Sequence, residues 1–236
     1  MNILIGCEES QAVCMEMRSR GHNAYSCDFK ECSGGHPEWH IQGDVLQAIE
    51  AGHITLQNGE TIYIEHWDMG IFFPTCTYLT CSAEWAYKDG PYHQKVKPGT
   101  LTGKARRDAR DEAVEFFIKL HHSKIPKVAL ENPIGVLSSR FRKPDQVIHP
   151  YMFGDDASKA TCIWVKGLQP LPVPPKTLWA QPRIINGKKR WANQTDSGQN
   201  KLPPSKNRAE QRSKTYPGIA KAMGETWTQR QLTLFI

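Results

Sequence analysis

The stretch Trp67 to Ser82, WDMGIFFPTCTYLTCS, is where the reading of this chain begins. An apolar run (Met69, Ile71, Phe72, Phe73) has the length and character of a buried strand, and Pro74 cannot continue a central strand, so the strand must stop there. Two residues later comes Cys76. Open α/β sheets place their ligand chemistry on the loops that follow the strands, so a cysteine delivered in this way is a candidate nucleophile. Taken alone, Cys76 reads more readily as a small buried hydrophobe, and the rest of the chain shifts the balance.

Outward from this stretch, composition sets bounds. The 236 residues are 39% hydrophobic and 23% charged, enough for a full core and one main domain. No apolar run is long enough to span a bilayer, and the N-terminus enters directly on Asn2-Ile3-Leu4-Ile5, so a cytoplasmic protein is expected. Seven cysteines fit a reducing compartment better than a disulfide framework. The net charge of +6 is unevenly spread: from Arg183 to Lys214 the basic residues far outnumber the acidic pair Asp196 and Glu210. That favours a polyanionic partner, with a solvated basic surface as the plainer alternative.

Asn2 to Cys7 reads as a strand, Ser10 as the N-cap of a helix through about Arg20, and Ala24 to Cys27 as a second strand ending in Asp28. This opens a βαβ wind in which an acidic residue after the second strand can bind a ribose. Only Gly6 stands where a nucleotide fingerprint needs several glycines, which argues against a pyrophosphate cofactor and leaves room for a nucleoside. Asp44 closes a third short strand and opens the helix from Leu46 to Ala51. Cys27, Cys32, His36 and His40 invite a zinc reading, but their spacing matches no common site and no metal is expected. Asn58-Gly59, between ITLQ and TIYI, is a strong hairpin signal. Residues 83 to 103 read as a long loop beside Cys76, and Lys104 to His122 as a helix with Ala109, Ala113, Phe116, Phe117 and Leu120 inward and its arginines outward. A strand from Lys127 to Leu130 then ends in Glu131-Asn132-Pro133. Asp28, Asp44, Cys76 and Glu131 would thus stand at the ends of four strands on one edge, the layout of an active site.

Thr161 to Val165 reads as a further strand. Beyond Gly167 the prolines 170, 172, 174 and 175 suggest a stiff linker, residues 181 to 212 are polar and aperiodic, and Ile219 to about Trp227 reads as a closing helix. The expected division is a core over 1–166, a basic region over 167–215, and a closing helix with tail over 216–236.

With a Pro-x-Cys loop after the fourth core strand and Glu-Asn-Pro after the next, the chain resembles the cytosine-C5 DNA methyltransferases, in particular the short phage and prophage versions. The resemblance covers roughly residues 1 to 165 and lies in motif order. It implies an α/β, doubly wound, mostly parallel sheet of the Rossmann-like S-adenosylmethionine-dependent type, with a small basic C-terminal region. It implies methylation of cytosine in double-stranded DNA by a covalent cysteine mechanism with base flipping. Catalytic roles fall on Cys76, Glu131, Asn132 and Pro74. S-adenosylmethionine would meet Gly6, Cys7, Glu8, Ser10, Asp28, Phe29, Asp44, Val45 and Pro74, with Asp28 on the ribose and Asp44 on the adenine amine. DNA would meet Arg140 and Arg142, matched to the family's Arg-x-Arg pair, and the basic Lys188, Lys189 and Arg190. The chain departs from the family in the Gly6-Cys7-Glu8-Glu9-Ser10 loop, in Thr75 beside the nucleophile, in Pro133 in place of valine, and in how soon Arg140 follows Glu131.

Gln231-Leu232-Thr233-Leu234-Phe235 looks like the pentapeptide by which bacterial proteins dock on the replication sliding clamp, with Gln231, Leu232, Leu234 and Phe235 as the contacts. The plainer alternative pins these apolar residues to the core. The lost glycines and Thr75 also motivate a different class of function, a catalytically silent DNA- or clamp-binding protein on a methyltransferase scaffold; modification of another pyrimidine is a third reading.

Overall fold

Short apolar runs separated by amphipathic segments leave each strand with two faces to bury, and the chain resolves this by winding helices onto both sides of one sheet. A computed structural model describes residues 1–205 and 208–229. The order is β1 (Asn2–Gly6), α1 (Ala12–Ser19), β2 (Asn23–Asp28), β3 (His40–Gln42), α2 (Val45–Ala48), β4 (Gly52–Thr55), β5 (Thr61–Ile64), β6 (Met69–Phe72), α3 (Gly103–His121), β7 (Lys127–Pro133), α4 (Leu137–Arg140), β8 (Gln146–Ile148), β9 (Thr161–Lys166), β10 (Arg183–Ile185), β11 (Lys188–Arg190), α5 (Arg208–Ser213) and α6 (Pro217–Trp227). The central sheet has seven strands in the order β3-β2-β1-β6-β7-β9-β8. The first five run parallel, while β9 is antiparallel to both β7 and β8. This is a doubly wound, mostly parallel α/β sheet of Rossmann-like type, as expected. Strand order reverses between β1 and β6, so the crevice such a sheet offers a ligand opens where Gly6 and the Cys76 loop leave it.

Alternation along each strand divides the core. Leu4, Cys27, Phe72, Val128, Leu130, Cys162 and Trp164 pack on one face with Phe117 and Leu120 of α3. Ile3, Ile5, Met69, Ile71, Ala129 and Ile163 pack on the other with Val13, Cys14 and Met17 of α1 and Ile219, Met223 and Trp227 of α6. The closing helix is therefore one of the layers of the fold rather than an appendage to it, and Pro217 at its first position is placed where its missing N–H costs nothing.

Three local expectations are corrected. Ser10 does not cap α1: the N-cap is Gln11, in the left-handed region at φ 57°, and the buried Glu8 supplies the oxygens, accepting from Val13 N at 2.7 Å and Cys14 N at 3.2 Å. The arginines of α3 do not all face outward, for Arg106 and Arg110 are buried and continue the inward stripe of Val114, Phe117 and Leu120 toward the N-terminus. The basic region is not without regular structure: β10 and β11 form a hairpin about Asn186 (φ 48°) and Gly187 (φ 72°), the paired positive dihedrals of a tight two-residue turn. The hairpin about Asn58-Gly59 forms as read, with β4 and β5 as a separate two-stranded sheet.

Candidate functional site

Cys76 lies just past β6, and its turn is fastened from three sides. Leu79 N and Thr80 N donate to the Cys76 carbonyl at 3.0 and 3.1 Å, closing the turn on itself. From β7, the Asn132 side chain donates Nδ2 to the Pro74 carbonyl at 2.7 Å, Val136 N donates to the Leu79 carbonyl at 2.8 Å, and Thr80 bridges Gly135. From α3, Arg110 donates to the carbonyls of Tyr78 (2.9 Å) and Thr80 (3.2 Å), pairs with Glu84 at 2.6 Å, and lies 3.3 Å over the Tyr87 ring. A buried guanidinium has five fixed donors, which suits it to hold a turn by its carbonyls. Sequence periodicity missed Arg110 because arginine reads as a solvent-facing residue; the signal available was its position on the stripe through Val114 and Phe117.

Glu131 stands on β7 opposite Ile163, its side chain 15% exposed, with Lys159 Nζ 3.6 Å from Oε1. Cys76 reaches the surface, yet its thiol is pushed above its ordinary value, first by burial among its neighbours and then by the Glu131 charge; Lys159 and Arg212 act in the opposite sense. Thiol, carboxyl and ammonium therefore share one edge of the sheet. Lys159 was not legible as a site residue, because its approach to Glu131 depends on the antiparallel register of β9. Asn132 is fully buried, and its Oδ1 has no partner among the described residues.

The second half of the site lies across the strand reversal. Asp28 ends β2 and Asp44 follows β3, each also ordering its own turn: Asp28 accepts from Lys30 N at 3.0 Å and Asp44 from Leu46 N at 2.9 Å. Burial, then the charges of Asp28 and Asp44, push the Cys27 thiol up to about 12, and burial and the same carboxylates raise the Cys7 thiol. The two aspartates thus act on the same pair of thiols. Phe29 beside them is 73% exposed, a large apolar ring left uncovered. A carboxylate for a vicinal diol, a second for an amine and a free ring for stacking fit the nucleoside part of S-adenosylmethionine. Other expected contacts are otherwise committed. Val45 is buried, its methyl group against the place where a Cβ on Gly6 would sit, at 2.5 Å. Glu8 is turned into the N-terminus of α1. The loop after β2 closes down on Ser10 and Gln11: Gln11 exchanges hydrogen bonds with His36, and Ser33 Oγ donates to Glu9.

Among the described residues no group of three or more His, Cys, Asp or Glu is arranged to hold a metal. Cys27 is buried on β2, His40 bonds Ser26 Oγ and the Lys30 carbonyl, and His36 stacks on Trp39. Of the arginines matched to DNA, Arg142 is half-buried and braced by Asp145 at 2.7 Å and by the Val165 carbonyl at 3.1 Å, at the Ala129 level of the sheet rather than the Pro133 end. Arg140 is exposed and paired with Asp111 at 2.8 Å. Arg190 bonds the Asp196 carbonyl, while Lys188 and Lys189 are exposed and have no carboxylate partner among the described residues. Gln231, Leu232, Leu234 and Phe235 lie outside the described residues. No described helix is long and apolar enough to cross a membrane.

No family model matches the chain, and neither does any curated protein. A solved structure it is similar to is that of a candidate DNA modification methyltransferase encoded within a prophage of E. coli, at 10% identity and a TM-score of 0.43, covering 75% of this chain and 51% of that one. The chain thus spans about half the length of that protein. The fold class rests on strand order and direction, independently of this similarity.

Proposed function

We propose that the chain methylates cytosine at C5 in double-stranded DNA, with S-adenosylmethionine as donor and a transient bond between Cys76 and the base. The observation that carries this reading is the 2.7 Å hydrogen bond from Asn132 to the Pro74 carbonyl, which joins the loop of the thiol to the arm of the carboxyl. In this reading the Cys76 sulfur adds to C6 of a flipped cytosine while Glu131 gives a proton or hydrogen bond to N3, and the electron pair of the C5–C6 double bond moves to C5. S-adenosylmethionine, held by Asp28, Phe29 and Asp44, supplies the electrophilic methyl group. Loss of the C5 proton restores the double bond and expels the sulfur. A raised Cys76 thiol means that the nucleophile rests protonated, so the rate of addition should climb with pH through the neutral range and beyond.

The test is incubation with DNA carrying 5-fluorocytosine, with S-adenosylmethionine present, followed by peptide mass spectrometry. The fluorine blocks the last elimination, so a covalent adduct on Cys76 is expected, and none with Cys76→Ser. Equal methyl transfer by wild type and Cys76→Ser would end this reading. The sealed loop between β1 and α1 favours a second one, a silent DNA-binding scaffold, which predicts DNA binding with neither adduct nor transfer. Docking on a sliding clamp through Gln231, Leu232, Leu234 and Phe235 is a separate proposal: deleting residues 231–236 should abolish clamp binding and spare methyl transfer.

A further inference from the structure

The edge that carries Cys76 and Glu131 is walled on its open side by the segment joining α5 to α6. Glu131, Lys159 and Thr161 line one side of a cleft, and Lys214, Thr215 and Tyr216 line the other. Arg212 and Lys214 are exposed, and among the described residues neither has a carboxylate partner. The segment is not a passing loop. Pro217 and Gly218 start a helix whose Ile219, Met223 and Trp227 are in the core, and Gly218 N donates to Asp155 at 3.0 Å, so the position of Lys214 is tied to the sheet. A Cβ on Gly218 would meet the Phe153 carbonyl at 2.2 Å, which holds this approach to a glycine.

We propose that Lys214, which lines this cleft with Lys159, and Arg212, two residues before it at the end of α5, form a phosphate subsite for the nucleotide whose base lies at Cys76 and Glu131. The inference rests on the base-binding reading of that edge and adds to it which cations hold the backbone of the flipped nucleotide. A cation cluster beside a lone carboxylate is suited to a substrate that is neutral at its base and anionic at its phosphate. The Arg212 charge also acts to lower the Cys76 thiol, against the larger effects of burial and Glu131. The role that sequence resemblance gave to Arg140 and Arg142 falls here instead, since Arg142 is spent on Asp145 and the β9 backbone.

The test reads protection of Cys76 in the full-length protein from iodoacetamide, by peptide mass spectrometry, with no methyl donor present. The probes are deoxycytidine, deoxycytidine 5′-monophosphate and a short cytosine-containing single strand. A phosphorylated probe should protect at concentrations about tenfold below those of deoxycytidine, the order expected of charge-assisted hydrogen bonds. An advantage of the monophosphate assigns the subsite to a terminal phosphate, and an advantage of the strand alone assigns it to a backbone phosphate; both support the inference. The advantage should vanish in the double variant R212Q/K214Q and survive in R212K/K214R. Equal protection by all three probes, protection by none, or an advantage that survives in R212Q/K214Q would each overturn it. Because no transfer is measured, loss of methylation with the phosphate advantage intact would fault only the proposed reaction, and a 5-fluorocytosine adduct without that advantage would fault only the subsite.

Discussion

Glu8 sits with its carboxyl wholly inside the protein, at the end of β1, where water cannot reach it. Burial pushes its pKa from 4.5 up to about 7, although the amides of Val13 and Cys14 at the start of α1 act to lower it. The folded chain therefore keeps a proton that the unfolded chain gives up, and stability falls as pH rises from about 4.5 to about 7, after which the loss is complete. The rise corresponds to about 3 kcal/mol. Glu8→Gln keeps an acceptor for α1 and has no proton to lose, so the fall in melting temperature between pH 5 and pH 8 should be clearly smaller than in the wild type; identical falls would refute this account of Glu8. Residue identity alone could not disclose this use. A glutamate after a first strand reads as a cofactor contact, and its inward turn is set by Gln11 at a positive φ, which leaves the start of α1 without a cap of its own.

Two elements that are far apart in sequence, the loop after β6 and the arm after β7, meet by backbone alone at Gly135. A Cβ there would lie 1.9 Å from the Leu79 carbonyl oxygen, and backbone on both sides leaves nothing flexible to move. Gly135→Ala should therefore break the bridge to Thr80, cost about 1–3 kcal/mol in urea unfolding, and slow adduct formation by Cys76 on 5-fluorocytosine DNA. A wild-type unfolding midpoint in Gly135→Ala would show that the two arms are not held in this way. At this scale much was legible. The strands carrying Asp28, Asp44, Cys76 and Glu131 are placed as periodicity and the stop at Pro74 indicate, because a buried parallel strand needs an unbroken apolar run and a proline ends it. The hairpin of β10 and β11 carries the same Asn-Gly signal as that of β4 and β5, but the basic residues around it mask the alternation. Arg106, Arg110 and Lys159 were illegible for one physical reason. Each charged group, buried for the two arginines and half-buried for Lys159, is held by partners that only the tertiary fold brings up: the Tyr78 and Tyr87 rings, backbone carbonyls, and Glu131.

For the molecule as a whole, the question is how the basic C-terminal region bears on a sheet whose chemistry lies at its strand ends. The hairpin of β10 and β11 is anchored to the core by Trp191 stacked on Tyr151 at 4.5 Å and by Asn193, which donates to the Ser158 carbonyl at 3.0 Å. The turn that ends in Lys159 and leads into β9 is thus the same turn that holds the hairpin, so cations on the hairpin and cations at the Cys76 edge share one support. Lys188 and Lys189 project from it together with Ile184, which is 62% exposed. If these lysines neutralise phosphates remote from the flipped base, their removal weakens binding to every duplex alike. It also lowers the slope of log affinity against log salt by roughly one for each phosphate that is no longer neutralised. The double variant K188Q/K189Q should bind duplex DNA more weakly than wild type at low salt, with a slope shallower by about two, while protection of Cys76 by a mononucleotide stays unchanged. R212Q/K214Q should do the reverse for the mononucleotide, which separates the grip on the duplex from the grip on the reacting nucleotide. An unaltered salt slope in K188Q/K189Q, measured by fluorescence anisotropy on a duplex of fixed length, would remove the hairpin from the DNA-binding surface and leave the cleft cations as the proposed grip on DNA.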